Sequence, residues 1–65
     1  MRPLTEAEFR LMVHLASGKP NLTVARDLGI SEGTFYDRLS TIRAKLNAPD
    51  TKTAIAAFRT VHKTL

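Results

Sequence analysis

The sequence contains no cysteine, so neither disulfides nor thiolate metal sites can assist folding. No apolar run approaches the about 20 residues that a membrane span requires, and no signal peptide opens the chain. Strand-type alternation, internal repeats, low-complexity segments and linkers are missing as well. These absences leave a cytoplasmic protein of one domain, residues 1–65, as the expectation. At 65 residues it stands near the lower limit for folding on a hydrophobic core alone, a size at which pairing with a second copy adds stability.

Hydrophobic residues make up 43% of the chain, enough for a packed domain rather than a disordered one. Ten Lys and Arg stand against six Asp and Glu, for a net charge of +4 and an isoelectric point near 10.1. That excess on so small a body favours a polyanion as partner, although charge alone also serves solubility.

The periodicity predicts four helices. Thr5 and Glu8 have the spacing of a capping box, and Leu4 and Phe9 that of a hydrophobic staple. Phe9, Met12, Val13 and Ala16 form the expected inward face, which Ser17-Gly18 brings to a stop. Lys19-Pro20 leads into a second helix, Asn21 to Leu28, with Val24, Ala25 and Leu28 on one side. Gly29 suits the left-handed residue past a helix end, Ile30 is a buried plug, and Ser31 caps the next helix. That third helix, Ser31 to Leu46, carries Phe35, Leu39, Ile42 and Leu46 on one apolar stripe. Asn47 and Pro49 end it. Asp50 then caps a fourth helix, Thr51 to about Lys63, whose apolar side is Ala54, Ile55, Phe58, Val61 and Leu65.

A short helix, a glycine-containing turn and a longer helix form the pattern of a helix-turn-helix, whose second helix lies in a DNA major groove. The fold expected is all-α, a four-helix bundle containing this motif.

Read together, LTEAE, LASGKPN, VARDLGISEGT and IRAKLNA, from Leu4 to Ala48, are similar to the LuxR/GerE-type (NarL/FixJ-like) DNA-binding domain. That family opens with L-T-x-x-E, continues through I-A-x-x-L-G-I-S and T-V-K-x-H, and closes with I-x-x-K-L. No single piece is specific; their order and spacing are. Larger members attach the module to a receiver or ligand-binding domain, and here the stand-alone, GerE-like form is expected. The resemblance implies a DNA-binding transcriptional regulator that pairs through its fourth helix. The family's T-V-K-x-H is Thr34-Phe35-Tyr36-Asp37-Arg38 here: Phe35 keeps the buried role, Tyr36 replaces a lysine, and Arg38 replaces the histidine. Gly33 and the pair Leu22-Thr23 stand where charged residues are frequent.

With the stripe of the third helix facing the core, Gly33, Tyr36, Asp37, Ser40, Arg43 and Ala44 point away from it. Tyr36, Asp37 and Ser40 are the expected base contacts. Tyr36 can bond a base edge or phosphate or pack on a thymine methyl, Asp37 can accept from a cytosine amino group, and Ser40 can do either. Lys19, Asn21, Thr23, Thr34, Arg38, Arg43 and Lys45 are the expected phosphate contacts. Taken singly, Arg38, Arg43 and Lys45 are as well explained as solvated helix charges. An exposed aromatic such as Tyr36 marks a contact surface more often than not.

The alanine-rich start of the fourth helix permits close approach of another helix, and Ala54, Ala57, Phe58 and Val61 are the expected dimer interface. The plainer reading packs this helix only on helices one and three. His14 and His62 stand apart from carboxylates at ligand spacing, and Ser17, Ser31 and Ser40 have no paired base. Neither metal, cofactor nor catalysis is expected. Double-stranded DNA, a second copy and a protein partner (a larger regulator or RNA polymerase) are the expected partners. The competing reading is a protein-interaction module, an anti-activator that pairs with a larger LuxR-type regulator; Glu32, Tyr36 and Asp37 on the presumed DNA face keep it open.

Overall fold

A computed structural model describes residues 3–61. They form α1 (Glu6–Ala16), α2 (Asn21–Asp27), α3 (Glu32–Leu46) and α4 (Thr51–Val61), with no strand among the described residues. The all-α expectation holds, and every junction ends for a local reason.

The capping box of α1 is formed in both directions. Glu8 N donates to Thr5 Oγ1 at 3.2 Å, and Thr5 N donates to Glu8 Oε1 at 2.8 Å. Gly18 takes a left-handed φ of +93° after the last turn. Pro20, extended before α2, has no N–H to leave unsatisfied. At the end of α2, Gly29 adopts φ +69°. Gly29 N then donates to the Arg26 carbonyl and Ile30 N to the Ala25 carbonyl, both at 3.0 Å, the two reversed bonds of a Schellman ending. Asn47, at φ +57°, ends α3 in the same way, with Ala48 N donating to the Arg43 carbonyl at 2.8 Å. Ser31 Oγ accepts from Thr34 N at 3.1 Å, and Asp50 Oδ1 from Thr53 N at 2.7 Å, so α3 and α4 carry the caps the sequence predicts. The expected end of α4 at Lys63, and Leu65 with it, lie outside the described residues.

The core joins Leu11, Met12 and Leu15 of α1, Val24 and Ala25 of α2, Phe35, Leu39, Ile42 and Leu46 of α3, Ala48, and Ala54 and Phe58 of α4. Helix α3 packs on all three others, and its four-residue stripe is buried as expected. Phe9 meets Phe58 edge to face with ring centroids 5.4 Å apart, tying α1 to α4.

Two expectations need correction. The inward face of α1 is Glu8, Leu11, Met12 and Leu15, while Val13 is 39% exposed and Phe9 and Ala16 are half-buried. At about 100° per residue the true face is turned by roughly a quarter turn from the expected one. Helix α1 is apolar around more than one side, so period alone does not set its rotation; packing against three helices does. On α4, Ala54 is 0% and Phe58 2% exposed. Both fill the core rather than an interface between copies, and only Ala57 and Val61 of the four expected residues reach the surface.

Candidate nucleic-acid interface

The Schellman turn at Gly29 and the Ser31 cap set α3 against α2 so that α3 buries one side and presents the other. Gly33, Tyr36, Asp37, Ser40, Thr41 and Ala44 form the presented side, and all are exposed. Tyr36, expected on a base or phosphate, is 46% exposed. Its ring meets the wholly buried Phe35 ring edge to face at 5.2 Å, so the exposed aromatic is braced from beneath. Asp37 and Ser40 stand beside it. Thr41 Oγ1 donates to the Asp37 backbone carbonyl at 3.3 Å, which leaves the Asp37 carboxylate to solvent. Thr34 is held in the cap, where Ser31 Oγ donates to Thr34 Oγ1 at 3.0 Å.

The cations are distributed differently from the expectation. None lies on the outward side of α3; Arg38, Arg43 and Lys45 sit on its flanks. Arg38 is exposed and lines a shallow groove of about 320 Å³ with Glu6, Ala7, Arg10 and Leu28. Arg10 is drawn to Glu6 at 3.3 Å, which leaves Arg38 as the unpaired cation of that groove. Arg43 is half-buried, its Nε is buried without a hydrogen-bond partner among the described residues, and its charge acts on Asp50. The Thr53 hydrogen bonds, and after them the charges of Arg43 and Lys52, hold the Asp50 carboxyl below its usual range.

Lys45 has another task than the phosphate contact expected of it. Its Nζ donates to Glu8 Oε1 at 2.7 Å, and the two side chains are only 16% and 10% exposed. Burial alone pushes the Glu8 carboxyl up. The Lys45 hydrogen bond, the Thr5 backbone N–H and the Lys45 charge outweigh it and hold Glu8 below its usual value of 4.5. One carboxylate therefore caps α1 and locks α1 to the last turn of α3. Capping spacing reveals the first role of Glu8; nothing in the sequence reveals a partner 37 residues away.

Lys19 is likewise engaged, with Asp27 at 3.0 Å and with His14 Nδ1 at 3.1 Å. His14, which reads in sequence as standing apart, therefore belongs to a polar cluster closed by the fold. Asn21 and Thr23 are half-buried on α2, and between them Leu22 is 62% exposed. Leu22 is a surface residue that no stripe of the sequence singled out.

This arrangement of short α2, tight glycine turn and outward-facing α3 is a helix-turn-helix held by two supporting helices. The family model described as GerE, bacterial regulatory proteins of the luxR family, matches residues 2–58. The chain belongs to that family. Comparison with curated proteins and with solved structures gave no match. The luxR-family module is a DNA-binding unit of transcription regulators. No group of residues able to hold a metal ion occurs among the described residues, and no described helix is long and apolar enough to cross a membrane.

Proposed function

We propose that this luxR-family module binds double-stranded DNA sequence-specifically, with the first half of α3 in the major groove and a second copy bound through α4. The observation that carries the reading is the outward side of α3. Tyr36, Asp37 and Ser40 stand in helical register on α3, exposed and with no other described element across them. They are the proposed base contacts. Arg38 and Arg43 on the flanks, with Thr34, Asn21 and Thr23, supply phosphate contacts that set register and affinity. Each base contact is worth roughly 1–3 kcal/mol of discrimination.

The described residues measure 26 × 22 × 20 Å, shorter than the roughly 34 Å between half-sites one helical turn apart. An inverted-repeat site of that spacing therefore takes two copies. The outer side of α4 supports pairing. Ile55 and Ala56, with Thr51, Lys52 and Arg59, line a depression of about 420 Å³, and Val61 is half exposed at its end. Ala57 and Val61 remain from the interface expected in the sequence; Ile55 and Ala56 replace the two buried residues.

Fluorescence polarisation against duplexes selected from a random pool, at two salt concentrations, tests the reading. Expected is tight, salt-sensitive binding that weakens with Tyr36→Ala and Arg38→Ala. Selection of no sequence at all, with no binding at low salt, overturns it. The exposed carboxylates Glu32 and Asp37 at the head of α3 favour a second reading, an anti-activator that pairs with a larger regulator. Capture of such a regulator by a protein that binds no duplex supports that alternative.

A further inference from the structure

The turn from α1 to α2 holds a cluster that DNA binding leaves unused. Lys19 Nζ donates to Asp27 Oδ2 at 3.0 Å and lies 3.1 Å from His14 Nδ1. An ammonium has only protons to offer, so Nδ1 carries the lone pair and the ring is neutral in this arrangement. The Lys19 and Asp27 side chains are 40% and 37% exposed, and His14 is half-buried, so protons and competing ions reach the cluster.

Each of the three helices packed against α1 carries charged groups. From α2 come Asp27 and Arg26, whose charge also acts on Asp27. From α4, Arg59 donates to the Ala16 carbonyl. From α3, Lys45 is occupied by Glu8, six residues back along α1. Within α1, Ser17 Oγ donates to the His14 carbonyl at 2.6 Å.

We propose that His14 is a pH-sensitive latch on Lys19: the neutral ring holds the ammonium against Asp27, and protonation of the ring releases it to a DNA phosphate. A proton on Nδ1 removes the acceptor and sets a second cation about 3 Å from Lys19. The imidazolium, now a donor at both nitrogens, takes over Asp27 as counter-ion. Asp27 stays ionised in both states: the Lys19 hydrogen bond holds its carboxyl below the usual value of 3.8 while the latch is closed, and that usual value itself lies below the range in which the latch works. Histidine ordinarily changes charge between about pH 5 and pH 8, so the latch opens on acidification. Its effect on DNA rests on the DNA-binding reading above; the release itself does not.

Two measurements on the full chain test this. One is the salt dependence of binding to a mixed-sequence duplex at about pH 5.5 and about pH 8. The other is the amide spectrum of the free protein across the same range. Expected are a Lys19 amide that titrates with the His14 ring, and a salt slope steeper by about one per bound copy at the lower pH. His14→Gln keeps an acceptor that takes no proton, so it abolishes both effects. Lys19→Gln abolishes the pH difference on DNA, and His62→Gln preserves it. A Lys19 amide indifferent to His14 overturns the proposal, as does equal slope at both pH values in a protein that binds DNA. So does a pH difference that survives Lys19→Gln. If Lys19 follows His14 yet no duplex binds at either pH, the release stands and the DNA-binding reading falls.

Discussion

In the first half of α3, Tyr36, Asp37, Arg38 and Ser40 stand exposed and make no side-chain hydrogen bond or ion pair with another described residue. In its second half, Arg43 is half-buried beside Asp50 and Lys45 is spent on Glu8. The same helix thus offers one end to a ligand and gives the other to the fold. A cation count misjudges both halves. Of the three cations on α3, one is free for an ordinary phosphate contact, one is partly withdrawn, and one holds α1 in place. The difference arises from angle around the helix and from what meets each flank. Residues opposite the apolar stripe have no other described element above them, whereas the flanking Lys45 meets Glu8 and Arg43 acts on Asp50. The flanking Arg38 opens into a groove.

The largest expected effect removes the division altogether. Phe35 is wholly buried beneath the first half, in the core that both halves share, and Phe35→Ala should destabilise by about 3–5 kcal/mol. In so small a domain that loss abolishes the cooperative transition in urea followed by far-UV circular dichroism. Lys45→Met acts on the second half alone. It strands the Glu8 carboxylate and should cost about 1–3 kcal/mol, read in the same denaturation, with little change in the salt slope of DNA binding. A loss of slope equal to that of Arg38→Ala would return Lys45 to the phosphate surface.

Acid sharpens the same contrast. Because the folded Glu8 carboxyl lies below its usual value of 4.5, its contribution is present above that value and disappears as pH falls through the lowered one. Thermal melts between neutral and strongly acidic pH should show this loss in the native sequence and less of it in Lys45→Met. Arg38→Ala tests the first half. It should leave the melting curve in place and flatten the salt slope by about 0.9 per bound copy. The smallest effect belongs to Ser31→Ala, which frees the Thr34 N–H at the head of the helix and should cost about 1 kcal/mol of stability. A loss much larger than that would mean the first half is also part of the scaffold.

Much of this was legible from local chemistry. Thr5 with Glu8, Gly29, Ser31, Asn47 and Asp50 each satisfy or terminate a helix end within a few residues of themselves, and all do so where the spacing predicts. The stripe of α3 was equally clear, since its apolar residues lie on one side only. Rotation was not legible for α1, where Leu11, Val13 and Leu15 are equally apolar and only contact decides which turns inward. On α4, Ala54 and Phe58 could face a second copy or their own core, and the positions of α1 and α3 settle it.

The sequence by itself determined four helices, the side-chain caps of three of them, the tight turn between α2 and α3, and which side of α3 is buried, because those depend on backbone groups and periods a few residues long. Tertiary structure alone decided which charges remain available. Glu8 with Lys45, and His14 with Lys19 and Asp27, meet only when α1 packs against α3 and α2. An ion pair's energy depends on separation in space, which distance along the chain does not encode.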